Sequence, residues 1–263
     1  MVRVLAVMLA AVLCLVAPAP TAHADFAQRI TAADQYLATR PGVVGYVLRD
    51  RATGLAHRNQ SAGTLIWTAS TIKLALVVDL LTRATAKQIT LTNADRALMA
   101  ATMHSSDSDA AATLWQRFGG PDHLAFNRNF PSYGMTGLQP QQGFSDVYPD
   151  WGFQKSTTDD LDRLMNHTLS RLPAAQTAAI VSEMQGVDAN QQWGVWGAGP
   201  EMAPGTKNGW SQEQGGWVVN SVGFAGPGQR YTLAIMNSLG GEGGFEDGRQ
   251  TTTRLAEILL GSG

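Results

Sequence analysis

Three short polar stretches carry side chains that suit acyl transfer: Ser70-Thr71-Ile72-Lys73, Ser106-Asp107-Ser108 and Lys207-Asn208-Gly209. In the first, Ser70 and Lys73 stand at i, i+3, so a helix puts them on one face, one turn apart. A lysine on a buried helix loses affinity for its proton, and a neutral amine beside a hydroxyl can take the hydroxyl's proton. Ser70 at the helix start also has free backbone N–H groups near it, able to hold a developing negative charge. Nucleophile, base and half an oxyanion hole then come from four residues. Acyl transfer further needs a proton route to the leaving nitrogen and a cation for a substrate carboxylate. Ser106 suits the first and Lys207 the second. Gly209 lets a substrate lie against a strand edge, where the Trp210 N–H joins that of Ser70.

Each of these residues also has a plainer reading. A serine at a helix start serves as an N-cap, and a lysine in a first turn snorkels to water. Trp67, Trp151, Trp193, Trp196, Trp210 and Trp217 suit packing, although Trp151 and Trp210 could line a cleft. His104, beside the second stretch, reads as non-catalytic.

The elements that must position these side chains can be followed along the chain. Leu65 to Leu81 contains no Gly or Pro and is apolar on all sides, which predicts a central buried helix. Before it, Asp25–Thr39 reads as a helix with Phe26, Ile30, Ala33 and Leu37 on one face, and Val43–Leu48 with Leu55–Arg58 as a hairpin. After it, Asn93 is expected to cap a helix over Ala94–Thr102. A further helix is expected to run to Phe118, and another from Pro121 to Phe130. Phe130–Phe153 reads as a long loop of the functional kind. Ser156 or Thr157 should cap a helix with Leu161, Leu164, Met165 and Leu169 as its stripe, and Pro173 should open the next. Gly205–Trp210, Trp217–Phe224 and Tyr231–Asn237 read as strands, and Thr251–Leu260 as a closing helix. The pattern implies an α+β fold: one antiparallel sheet from both chain ends, flanked by the terminal helices, with an inserted all-helical lobe. The α/β part is expected at about 25–68 and 200–263, and the helical part at about 69–199.

Residues 1–24 have the form of a secretory signal. Arg3 precedes an apolar core from Val4 to Val16, too short to span a membrane, and Ala22-His23-Ala24 is a small-x-small cleavage site. Leu13 before Cys14 is a poor lipoprotein context. Cys14 is the single cysteine, so the exported chain has no disulfide. The formal net charge is −2 and gives no sign of a nucleic-acid or anionic-membrane partner. The histidines beyond the signal lack metal-ligand spacing, so neither metal nor cofactor is expected.

The three stretches, in this order, resemble the Ser-x-x-Lys, Ser-Asp-Asn and Lys-Thr-Gly motifs of the class A β-lactamases and their penicillin-binding relatives. Gly119-Gly120-Pro121 with Leu124, and Ser156-Thr157-Thr158 after the long loop, are similar to further turns of that family, so the resemblance spans nearly all of the chain beyond the signal. It implies an exported monomeric serine hydrolase forming an acyl-enzyme on Ser70 with a β-lactam or a cell-wall peptide. The alternatives are a D-Ala-D-Ala peptidase-like or other envelope amide or ester hydrolase, and a penicillin-binding protein without turnover. Three departures stand out. Ser108 replaces the family's asparagine and Asn208 its threonine or serine, both expected to touch substrate. The stretch from Lys73 to Ser106 is short. No glutamate occurs between Ser106 and Ser156, whereas the family uses one there to hold the water that hydrolyses the acyl-enzyme. Asp146 and Asp150 are the acids in that loop. Asp150, nearer the Ser156 anchor, is the better substitute, and solvated loop residues are the plainer reading of both.

Overall fold

The computed structural model describes residues 20–144 and 146–261. The expected signal lies outside the described residues up to residue 19. Helix α1, Pro20–Leu37, begins upstream of the expected Asp25, because a proline is tolerated in a first helical turn and nothing after Pro20 breaks the run.

Five antiparallel strands form the main sheet: β1 Val43–Asp50, β2 Ala56–Arg58, β6 Gly205–Glu213, β7 Gly216–Ala225 and β8 Tyr231–Ser238. Their spatial order is β2-β1-β8-β7-β6, which leaves β6 at an edge. A small second sheet, β3-β5-β4, joins β3 Ile66–Trp67, β4 Gln139–Pro140 and β5 Gln154–Ser156. The helices that follow α1 are α2 Ile72–Thr85, α3 Asn93–His104, α4 Ser108–Phe118, α5 Ala125–Asn129, α6 Thr158–Ser170, α7 Ala174–Gln185 and α8 Phe245–Leu260.

Strand alternation divides the core. On one face of the sheet Tyr46, Leu48, Leu233 and Ile235 pack with Ala33 of α1 and Leu255, Ala256 and Leu259 of α8. On the other, Val218, Val222, Phe224, Ala234 and Met236 join the helices in one continuous cluster. Leu161, Leu164 and Met165 of α6 and every residue from Ile72 to Leu81 of α2 are buried. The α+β architecture with terminal helices and an inserted helical lobe is therefore as expected.

Local differences have local causes. The run from Leu65 to Leu81 is not one helix: β3 and a 3₁₀ turn over Ala69–Thr71 precede α2. Helix α3 is capped by Thr92 and not Asn93, because Thr92 and Asp95 form a reciprocal capping box. The helix expected over Pro121–Phe130 shrinks to α5 and a 3₁₀ turn over Phe130–Tyr133. His123 is left-handed there, at φ +56°, and Asp122 accepts the Leu124 N–H, so a turn takes the place of the first helical residues. Helix α8 starts at Phe245, upstream of Thr251, and passes through Gly248. A Cβ at that position would lie 2.4 Å from Val219 Cγ2, so glycine lets α8 close on β7.

Candidate active site

Ser70 lies in the 3₁₀ turn that feeds α2, and the chain enters that turn through Ala69 at φ +44°. This is a left-handed conformation that a residue with a side chain adopts at a cost, and the surroundings hold it. Thr68 donates both its N–H (2.9 Å) and its hydroxyl (3.1 Å) to the Gln154 carbonyl. On the other side, Asn220 Nδ2 of β7 donates to the carbonyls of Trp67 (2.8 Å) and Thr68 (3.2 Å). The strand edge comes equally close. A Cβ on Gly209 would lie 2.6 Å from the backbone nitrogens of both Ser70 and Thr71, so only glycine fits between β6 and the serine turn.

One turn past Ser70, Lys73 is fully enclosed. Its Nζ donates to the Ser106 carbonyl at 2.6 Å and approaches the hydroxyls of Ser108 at 3.2 Å and Ser106 at 3.4 Å. Ser106 is itself left-handed, at φ +61°. That turn aims its carbonyl at one lysine while its hydroxyl accepts Lys207 Nζ at 2.8 Å. Two buried amines thus converge on one serine. Burial pushes the Lys73 ammonium down to about 8, with Asp107 nearby working against it. Burial, then repulsion from Lys73, holds Lys207 well below the usual lysine range. Both amines give up a proton more easily than an exposed lysine does, and the Ser106 hydroxyl between them can pass one on.

The expected site residues are not all placed together. Lys73, Ser106, Ser108 and Lys207 are joined by direct hydrogen bonds, and the Ser70 backbone lies against Gly209, two residues along β6 from Lys207. Asn208 corrects the expectation. It alternates with Lys207 and is buried on the other face of β6. There its Nδ2 donates to the carbonyls of Gln191 (2.7 Å) and Trp193 (3.2 Å), and its Oδ1 accepts the Thr206 hydroxyl. Its amide therefore serves the fold and not the cleft. The Trp210 ring shares that face and packs against Trp193 and Phe245. Asp146 is exposed, and the Asp150 carboxylate accepts the Gly152 N–H at 2.7 Å within its own turn. His104 pairs with Asp188 at 3.0 Å.

Three contributors escaped the sequence reading or were only half seen. Asn220 and Gln154 are polar residues in strands, and that was their only signal. Gln154 is buried, donates to the Asp150 carbonyl at 2.8 Å and accepts from Asn127 at 3.0 Å. Trp151 places its ring 4.5 Å from Lys73 Nζ.

Comparison with solved structures decides the fold. A β-lactamase from Xanthomonas campestris superposes with a TM-score of 0.73 at 18% identity, covering 90% of this chain and 97% of that one. One from Streptosporangium roseum gives 0.72 at 16%, covering 89% and 97%. An ancestral class A β-lactamase gives 0.70 at 15%, covering 89% and 98%. The fold is that of the class A β-lactamases. No family model matches the chain. Among curated sequences, the protein named "Putative lipoprotein LppW" of Mycobacterium tuberculosis and Mycobacterium bovis is 27% identical over 232 residues, covering 83% of this chain and 71% of that protein. Within the class A fold, Ser70 occupies the turn that opens the central helix, Ser106 the turn that opens α4, and Lys207 the edge strand. These three elements face one another through the contacts given above.

Proposed function

We propose that this chain is an exported serine hydrolase that forms an acyl-enzyme on Ser70 with β-lactams or related amides and releases it slowly. The observation that carries the reading is the convergence of two buried amines, Lys73 and Lys207, on the Ser106 hydroxyl beside the Ser70 turn. Neutral Lys73 takes the Ser70 proton as Oγ bonds to the amide carbon. The carbonyl oxygen becomes an oxyanion facing the N–H groups of Ser70 and Trp210. Ser106 delivers a proton to the leaving nitrogen as the C–N bond breaks, and is recharged from the lysine side. Lys207 attracts a substrate carboxylate, and Ser108 stands at the same mouth of the site.

Hydrolysis of the ester needs a base holding a water. No glutamate is available between Ser106 and Ser156. A positioned general base is worth roughly 10²–10⁴-fold. Asp150, and after it Asp146, are the carboxylates left for the task. Export to the cell envelope is supported by the form of residues 1–24 and by the lipoprotein description of the curated relative. Among the described residues no helix is long and apolar enough to cross a membrane.

A second reading, a D-Ala-D-Ala peptidase-like or other envelope amide hydrolase, is favoured by the inward turn of Asn208. That turn leaves the edge strand without the hydroxyl that the β-lactamase motif supplies. One experiment separates the readings. Incubation with labelled penicillin, followed by mass spectrometry, should show an adduct on Ser70 that appears in a burst and decays slowly, and that Ser70→Ala abolishes. No adduct on Ser70 sinks both acyl-enzyme readings. Fast release without a burst removes the missing-base argument, and its loss in Asp150→Asn but not Asp146→Asn would give Asp150 the glutamate's role. A persistent adduct together with cleavage of a D-Ala-D-Ala peptide favours the second reading.

A further inference from the structure

Lys73 stands one turn past Ser70 and has no exposed surface. Its donors are covered by the Ser106 carbonyl and the hydroxyls of Ser106 and Ser108. Against the amine from the side of the long loop stands the face of Trp151. The backbone that leads into the indole is tied to the frame. Trp115 Nε1 donates to the Pro149 carbonyl at 2.9 Å in a buried contact. Gln154 ties the Asp150 carbonyl to the strand that Thr68 binds. Trp151 itself packs on the main hydrophobic cluster.

We propose that Trp151 is a positioning residue for Lys73: its ring face seals the amine from bulk water and so keeps it a proton acceptor for Ser70. The proposal rests on the acyl-enzyme reading above and adds the residue that makes Lys73 fit for its part in it. Two effects of the ring oppose each other. Dehydration disfavours the ammonium, whereas the ring quadrupole favours it. Burial is the largest of the causes acting on Lys73, ahead of the attraction of Asp107, and the ring face is part of that burial. The other charged groups that face the amine are Asp107, from the turn before α4, and Lys207, from β6. Asp107 favours the charged form and Lys207 opposes it, and both residues are kept in every Trp151 variant.

The test is a direct titration of Lys73 by NMR in lysine-labelled protein, assigned with Lys73→Arg, in Trp151→Gln, Trp151→Leu and Trp151→Phe. The parent should titrate near pH 8. Trp151→Gln admits water and should move the midpoint up by about one pH unit. Trp151→Leu keeps the wall dry but removes the ring face, so the midpoint should stay or fall. Trp151→Phe should hold the parent value. The acidic limb of Ser70 acylation should move with the midpoint, so that Trp151→Gln acylates about tenfold more slowly at pH 7. A folded Trp151→Gln that titrates like the parent overturns the proposal. So does Trp151→Leu rising as far as Trp151→Gln, and Trp151→Asn, for which the same rise is expected and a parent-like midpoint overturns the proposal, takes the place of a Gln variant that does not fold. Because the titration needs no substrate, a protein whose Lys73 moves as expected but whose Ser70 is never acylated removes the acyl-enzyme reading and leaves the seal standing.

Discussion

The fold tolerates a charge on the Lys73 amine poorly. Its pKa falls from 10.5 in the open chain to about 8 in the folded one. Between those values the unfolded chain holds a proton that the folded chain has released. Stability therefore rises with pH through that window, and below about pH 8 the folded protein carries the full penalty of a buried charge. Replacing the amine by an apolar chain of similar length removes this dependence, whatever else the replacement costs. The stability difference between the parent and Lys73→Met should accordingly shift in the parent's favour by roughly 2–3 kcal/mol between pH 8 and 10.5, read from urea unfolding across that range. A difference that stays flat with pH would show that Lys73 keeps its ordinary affinity for the proton, and the base assigned to Ser70 would be lost with it.

At the scale of elements, the site depends on β3 being sewn to the main sheet. The ladder between β7 and β8 pairs Val218 with Ser238 and Ser221 with Ile235, and between those pairs the Asn220 side chain takes over. Its Oδ1 accepts the Asn237 N–H at 3.1 Å, while its Nδ2 holds the carbonyls of Trp67 and Thr68. One amide thus links β8, β7 and the approach to the strained Ala69. Asn220→Leu fills a similar volume but strands buried backbone groups. The expected cost is roughly 2–4 kcal/mol in urea unfolding, with slower labelling of Ser70 by a fluorophosphonate as the serine turn relaxes. A loss of stability without any change in labelling would mean that Gln154 and Gly209 hold the turn without Asn220.

For the whole molecule, one buried cluster spans both parts. Val218, Val222, Phe224, Ala234 and Met236 of the sheet belong to the same buried cluster as Leu74, Leu80, Leu114, Trp115 and Ile180 of the helices. The contacts of the candidate site cross the same boundary, since Lys207 of the sheet meets Ser106 of the helical part. A shared core makes the parts unfold together. Far-ultraviolet circular dichroism and the fluorescence of a variant that keeps Trp115 as its single tryptophan, at the centre of the helical part, should therefore trace one coincident thermal transition. Two resolved transitions would show that the helical lobe melts by itself and that the cleft opens before the sheet is lost.

Much of this protein follows from the order of its residues. The i, i+3 pair Ser70 and Lys73, the Ser106 and Lys207 stretches, the stripe of α6 and the strands of the chain ends are local patterns, set by helical and strand periodicity within a few residues. The tertiary structure decided what periodicity cannot carry. Strand alternation states that Lys207 and Asn208 face opposite ways, but only the packing of β6 against residues 191–193 determines which of them meets the cleft. Trp151 reaches Lys73, Asn220 reaches Trp67 and Gln154 reaches Thr68 across long stretches of chain. Such contacts depend on how whole elements are laid against each other, and each partner's own neighbours in the sequence say nothing about it.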